Sequence, residues 1–186
     1  MHLKRQLLPF VATAALVASP VFGQSWIEGE MGYRVSVVPE GSPAARSGLK
    51  TGDILAEPAA LLQRLRDAGR GGAEIPIYRL DTKTAVYRRG SLTVVFQDAD
   101  ERRIDAIGDL GFLVTGTKPR SLGERAELKA GDFIPKINET LVHSVDDLTL
   151  VDDAYDKNDQ VFITFIRWFP QTAEFKTLVS RRRFVK

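Results

Sequence analysis

Few side chains in this chain of 186 residues could carry covalent chemistry, and their spacing argues against it. Outside the first 23 residues the only histidine is His143, in Thr140-Leu141-Val142-His143-Ser144, with Asp146-Asp147 just beyond. A Ser-His-Asp set would perform acyl transfer, but it needs the imidazole beside a presented nucleophile. Here His143 falls at the connection into a helix, no Gly-x-Ser-x-Gly string occurs, and Ser144 with Asp146-Asp147 has the spacing of a helix cap. The chain has no cysteine, which excludes thiol chemistry. Asp152, Asp153, Asp156 and Asp159 could suggest calcium, yet they lack the Asp-x-Asp-x-Asp-Gly spacing with a distal Glu. They read as a solvated helix end. No zinc spacing and no phosphate loop is present, so the expectation is a non-enzymatic protein with no cofactor and no metal.

What the chain does carry is a repeat. Gly32-Tyr33 recurs 79 positions later as Gly111-Phe112. The same offset takes Leu49-Lys50-Thr51-Gly52-Asp53-Ile54 onto Leu128-Lys129-Ala130-Gly131-Asp132-Phe133. Further on the offset becomes 88, carrying Arg79 onto Arg167 and Thr84-Ala85 onto Thr172-Ala173. A period of this size is a small domain rather than a solenoid unit, and two such units leave little room for a separate catalytic domain.

The elements follow in the same order twice. Tyr33 to Val38 alternates into a strand, and Pro39 to Pro43 turns. Ser42 caps a short helix that begins at Pro43 and stops at Gly48. Gly52-Asp53 is a tight turn into a strand at Ile54-Leu55. A helix from Pro58 places Leu61, Leu62, Leu65 and Ala68 on one face, with Gly69 as its stop. Glu74 to Leu80 and Val86 to Phe96 read as strands, the latter broken by a turn at Arg89-Gly90-Ser91. In the second copy Phe112 to Val114, Phe133 to Ile137, Val161 to Trp168 and Glu174 to Val179 are strands. Arg120 to Glu127 holds a short helix and Val145 to Tyr155 the larger one. Gln97 to Arg103 is a polar linker that would permit relative motion.

Composition sets the compartment. His2, Lys4 and Arg5, a mostly apolar run from Leu7 to Ala18, and Val21-Phe22-Gly23 before Gln24 form the pattern of a secretory signal peptide. The run contains Pro9 and is shorter than the roughly 20 residues that span a bilayer, so cleavage is favoured over a retained anchor. Ala18-Ser19 is a second possible site. Without residues 1–23 the charges balance, since Lys4 and Arg5 account for the formal +2. A neutral chain gives no general attraction to nucleic acid or anionic membranes. Arg181-Arg182-Arg183 with Lys186 is the local exception and reads as solvated charge. Export without disulfides fits a periplasm or another secreted setting.

These strings resemble the PDZ domains found beside bacterial envelope serine proteases of the high-temperature-requirement kind. The likeness rests on Gly-(aromatic)-x-Val followed by Ser42-Pro43-Ala44-Ala45-Arg46-Ser47-Gly48-Leu49-Lys50-Thr51-Gly52-Asp53-Ile54. It is repeated in Leu110-Gly111-Phe112, Leu128 to Asn138 and Ser144-Val145-Asp146-Asp147-Leu148. The resemblance covers roughly 29–97 and 104–180. It implies an α+β fold of two PDZ-like domains, 24–98 and 99–186. Each would be a small, partly open antiparallel barrel or sandwich capped by two helices, without the protease domain.

It also implies binding of peptide or protein C-termini by strand addition. A Φ-Gly-Φ loop presents successive N–H groups to a carboxylate, and the peptide then pairs with the strand that follows. By position the residues would be Met31, Gly32, Tyr33 and Arg34 in the first domain and Leu110, Gly111, Phe112 and Leu113 in the second. Leu148 and Val151 of the larger helix, with Leu150, Ala154 and Tyr155 beside them, would form the opposite wall or simply be core. Asp109 would repel a carboxylate, and the first copy is shortened before its helix; of the two grooves the second is preferred. An envelope serine protease acting in trans is a candidate partner. The alternative is a scaffold or accessory subunit that binds folded proteins.

Overall fold

A computed structural model describes residues 26–68, 72–96 and 104–183; the leader and the linker Gln97 to Arg103 lie outside the described residues. The first half contains β1 (Ile27–Val37), α1 (Pro43–Arg46), β2 (Ile54–Ala56), α2 (Pro58–Asp67), β3 (Ala73–Asp81) and β4 (Val86–Val94). The second contains β5 (Ile107–Thr117), α3 (Leu122–Arg125), β6 (Phe133–Ile137), β7 (Thr140–Leu141), a 3-10 turn (Val145–Leu148) running into α4 (Thr149–Asp156), β8 (Gln160–Phe169) and β9 (Glu174–Arg183). The fold is α+β and dominated by one antiparallel sheet, in the order β4-β3-β2-β1-β5-β6-β8-β9 with β7 added to β6.

Local chemistry explains the repeated pieces. Ser42 Oγ accepts from Ala45 N at 3.1 Å and Ser121 Oγ from Glu124 N at 3.3 Å, so each short helix has its side-chain cap. Gly52 and Gly131 sit at φ +91° and +92°, the left-handed turn that glycine adopts without strain. The aspartate after each then accepts from a backbone N–H three residues earlier, Lys50 to Asp53 and Lys129 to Asp132, both at 2.8 Å. The turn expected at Arg89-Gly90-Ser91 does not form. Those residues stay in β4, facing Tyr78, Ile77 and Pro76 of β3, because the hairpin ladder on either side holds them extended.

The larger departure is at β1 and β5, which begin several residues before the expected strands and pair with one another along nearly their whole length. Gly32 faces Gly111, Met31 faces Phe112 and Tyr33 faces Leu110. A repeat that maps Gly32 onto Gly111, and a ladder that sets the two opposite each other, together define a local twofold axis through that pair. Glycines make the approach possible. A Cβ on Gly29 would lie 2.0 Å from Leu113 O, and its repeat-mate Gly108 would meet Arg34 O at 2.1 Å. A Cβ on Gly111 would lie 2.6 Å from Ile134 O.

The axis exchanges chain between the cores. Trp26, Ile27 and Met31, at the start of β1, pack with Phe112, Leu148, Val151, Ile163 and Phe165 of the second half. Ile104 and Ala106, just before β5, pack with Val35, Leu55, Leu65 and Ile75 of the first. A third cluster, Ile54, Ala56, Tyr78, Leu113 and Phe133, lies between them. Fully burying each such side chain contributes about 1.5–3 kcal/mol. The halves therefore share their stabilisation, and an eleven-residue strand from each spans the seam.

Gly111→Ala is expected to lower unfolding free energy by about 1–3 kcal/mol, because the new methyl meets backbone that cannot retreat. Gly90→Ala, where nothing lies within 4 Å of the new atom, should stay within about 0.5 kcal/mol in the same denaturant titration.

Candidate functional site

The residues expected to capture a peptide do come together, at the seam. β1 is hydrogen-bonded to β2 on one side and β5 on the other, with Gly32 facing both Ala56 and Gly111. β5 is held in turn by β1 and β6, with Phe112 facing Ile134 and Leu113 facing Phe133. Neither Φ-Gly-Φ segment is a loop. Each is mid-strand: Gly32 to Arg34 and Phe112-Leu113 have partners on both sides, while Met31, Leu110 and Gly111 are paired across the β1–β5 seam. Gly32, Arg34, Gly111, Phe112 and Leu113 are buried, while Met31, Tyr33 and Leu110 are half-buried. Leu148 and Val151 are fully covered by the second-half core, with Ala154 buried and Leu150 and Tyr155 partly so. The stripe on α4 faces the core, where Trp26 and Ile27 already fill the space beside it. In this arrangement the chain's own strand lies where a peptide was expected.

Behind each Gly-Asp turn stands an ion pair that joins the ends of the repeat. Arg167 donates from Nε to Asp132 Oδ1 and from Nη2 to Asp132 Oδ2, both at 2.7 Å, and its Nη2 also reaches Glu127 O at 2.7 Å. Arg79 makes the same three contacts with Asp53 and Gly48 O, at 2.9, 2.5 and 2.8 Å. The coincidence of Arg79 and Arg167 at offset 88 is this fork. Its aspartate partners were visible in the sequence only as turn residues. Donating hydrogen bonds to the Asp53 carboxylate pushes the Arg79 guanidinium further above its ordinary range.

A feature not foreseen is a buried cationic stack across the seam. Arg34 is 7% exposed, and its guanidinium lies 4.4 Å from the centre of the Phe175 ring and beside Tyr87. Phe175 also covers Gly52, and Tyr87, its counterpart in the other hairpin, donates from its hydroxyl to Gly52 O at 3.2 Å and passes close to Gly131. Burial pushes the Tyr87 phenol up to about 12, with Arg34 acting in the opposite sense. Tyr78 is also pushed up to about 12, by burial and then by its hydrogen bond to Glu30. No local pattern announces Arg34, since its neighbours come from residues far along the chain.

Open clefts lie elsewhere on the surface of the described residues. One of about 630 Å³ at the end of the seam is lined by Glu28, Glu30, Glu57, Arg89, Thr115 and Lys118 around Gly29. Its charges are largely matched internally: Glu57 takes Arg89 at 3.0 Å and Arg64 at 2.5 Å, and Glu30 accepts from Tyr78. Another, about 210 Å³, lies between α3 and α4 against Trp26. Burial there raises the Asp152 carboxyl, and the Trp26 indole opposes that shift.

The histidine and its neighbours form a cap. Asp147 Oδ2 accepts from the backbone N–H of His143 and of Ser144, both at 2.8 Å, and from Ser144 Oγ at 3.1 Å. Among the described residues no three His, Cys, Asp or Glu side chains gather closely enough to hold a metal ion. Among them, too, no helix is long and apolar enough to cross a membrane.

Two measurements follow from these groups. Arg167→Met, which strands a fully buried Asp132, should cost about 3–5 kcal/mol. Arg79→Met should cost less, because the Arg79 side chain is 39% exposed against 20% for Arg167, so water reaches its pair more readily. In an absorbance titration, Tyr78 and Tyr87 should ionise near pH 12, and Tyr87→Phe should remove one late equivalent. Both phenols are raised above an unfolded value near 10. Their contribution to stability is complete below pH 10 and lost as the pH climbs to 12.

Compared with family models and with characterised proteins, the chain matches none.

Proposed function

We propose that the chain is an exported, non-catalytic protein of two PDZ-like units that binds other proteins, and that it does so as a scaffold for folded or extended partners on its outer surface. The observation that carries this is the pairing of β1 and β5 on both sides. Capture of a free C-terminus at Gly32 or Gly111 would require the seam to open, exposing Phe112 and its neighbours to water. The reading as an adapter or accessory subunit, with an envelope serine protease among the candidate partners, needs no such opening. The PDZ-like assignment itself rests on the repeated sequence strings, and export on the leader pattern.

Val37 and Ile107 face one another across the seam and are both exposed, 47% and 54%. Cysteines placed there can form a disulfide that locks β1 to β5, in a chain with no other thiol. With residues 24–186, hydrophobic peptides as free acids should cause no amide shift at Gly32, Tyr33, Gly111 or Phe112, locked or unlocked. Shifts at those residues that fade when the peptide is amidated, and vanish on locking, would overturn the scaffold reading in favour of C-terminal capture.

A further inference from the structure

Among the described residues the main strand order ends at β4 and β9, and their outward rows differ. The hairpins β3-β4 and β8-β9 correspond at offset 88: Glu74 faces Thr93 as Phe162 faces Arg181, and Ile75 faces Leu92 as Ile163 faces Ser180. Hence the places of Arg181 and Arg183 on β9 are held in the first half by Thr93 and Val95. Among the described residues no strand lies beyond β9.

On the outward face of β9, Val179 (59% exposed), Arg181 and Arg183 follow one another at alternate positions. Phe162 of β8, 38% exposed, lies beneath the Arg181 guanidinium at 5.5 Å. Four other cations of the two hairpins do have carboxylate partners. Arg88 pairs with Asp81, Arg89 with Glu57, Lys176 with Glu174, and Arg182 with Glu127. Among the described residues the acceptors for Arg181 and Arg183 are neutral, the Gln160 side-chain oxygen at 3.3 Å and Asn158 O at 3.2 Å. Charge on an edge strand discourages pairing with a second copy, which would bring the same cations together. The same charge favours a strand of opposite sign.

We propose that β9 is a docking edge for an extended acidic segment of a partner protein, which adds to the sheet as a further strand. This deepens the protein-binding reading above and rests on it. Backbone bonds from the edge supply affinity, and side chains at alternate positions supply selection. Running antiparallel, the segment places acidic residues opposite Arg183 and Arg181 and an aliphatic one opposite Val179, two positions apart each time. Its pattern is acidic-x-acidic-x-aliphatic.

The test is an amide-shift and anisotropy titration of residues 24–186 with a labelled peptide of that pattern, capped at both ends. Three control peptides accompany it: one of the same composition with the acidic residues adjacent, one with lysines for the acids, and one N-methylated on alternate amides. The patterned peptide should shift residues 176–183 and 160–166 and leave Gly32 and Gly111 unmoved. Arg181→Glu/Arg183→Glu should weaken it by about ten-fold or more and should gain binding to the lysine peptide. N-methylation in the phase that faces β9 should abolish it.

Equal binding of the scrambled or N-methylated peptide would overturn strand addition and leave diffuse charge attraction. Arginine-dependent binding to anionic phosphatidylglycerol vesicles, with no peptide binding, would overturn it in favour of a lipid contact. Shifts confined to other surfaces would overturn the β9 site while protein binding stands. Silence toward every peptide, together with no stable complex on cross-linking to an envelope serine protease, would count against both.

Discussion

The structure depends on how closely two strands can approach at their crossing. Where β1 meets β5, glycine recurs at Gly29, Gly32, Gly108 and Gly111, and a methyl at any of these positions would collide with backbone or packed side chain. Removing the Cβ costs backbone entropy on folding. In return the ladder closes, and the apolar residues flanking it, Phe112, Leu113, Val35 and Ile54, reach full burial. The sheet is continuous because of this contact, and the two repeats become one body through it.

The seam also gives each repeated motif a meaning that one copy alone would not. The Gly-Asp turn is a clamp whose aspartate receives the same forked arginine from a later strand, in both halves. Hairpin residues Tyr87 and Phe175, counterparts at offset 88, fold over the turns near the axis, and Phe175 covers the buried Arg34. Here the symmetry breaks, for the residue equivalent to Arg34 is Leu113, an ordinary member of the central cluster. A single guanidinium, rather than a pair, is thus kept among aromatic rings at the centre.

Much of this was legible in the sequence, and the part that was not has a physical reason. The cap at Ser42, the turns at Gly52 and Gly131, and the Ser144–Asp147 cap are decided within a few residues, and local spacing shows them, as it shows the short helix within Arg120 to Glu127. Alternation in Tyr33 to Val37 tells which face is buried but says nothing of the neighbouring strand. So the same residues that suit an exposed edge suit an interior one. The apolar stripe of α4 is ambiguous in the same way, because Leu148 and Val151 look alike whether a ligand or Trp26 covers them. One signal was present and unread: Gly29 recurs as Gly108 at the offset of Gly32 and Gly111. Two glycines three apart, duplicated within alternating strands, mark close backbone contact better than a carboxylate loop.

The exchange of β1 and β5 has a bearing on how the chain reaches this state. Val35 and Leu55 belong to a core that includes Ile104, while Trp26 belongs to one built from residues beyond 110. The first half therefore cannot finish on its own when it is made, for its first strand waits on a partner some 79 positions further along. Closing so long a loop is slow to be rewarded by contacts, so commitment comes late. Both cores are completed in the same event, the docking of β5. Until then β1 offers an unpaired edge, the kind of surface with which a strand of another chain can pair.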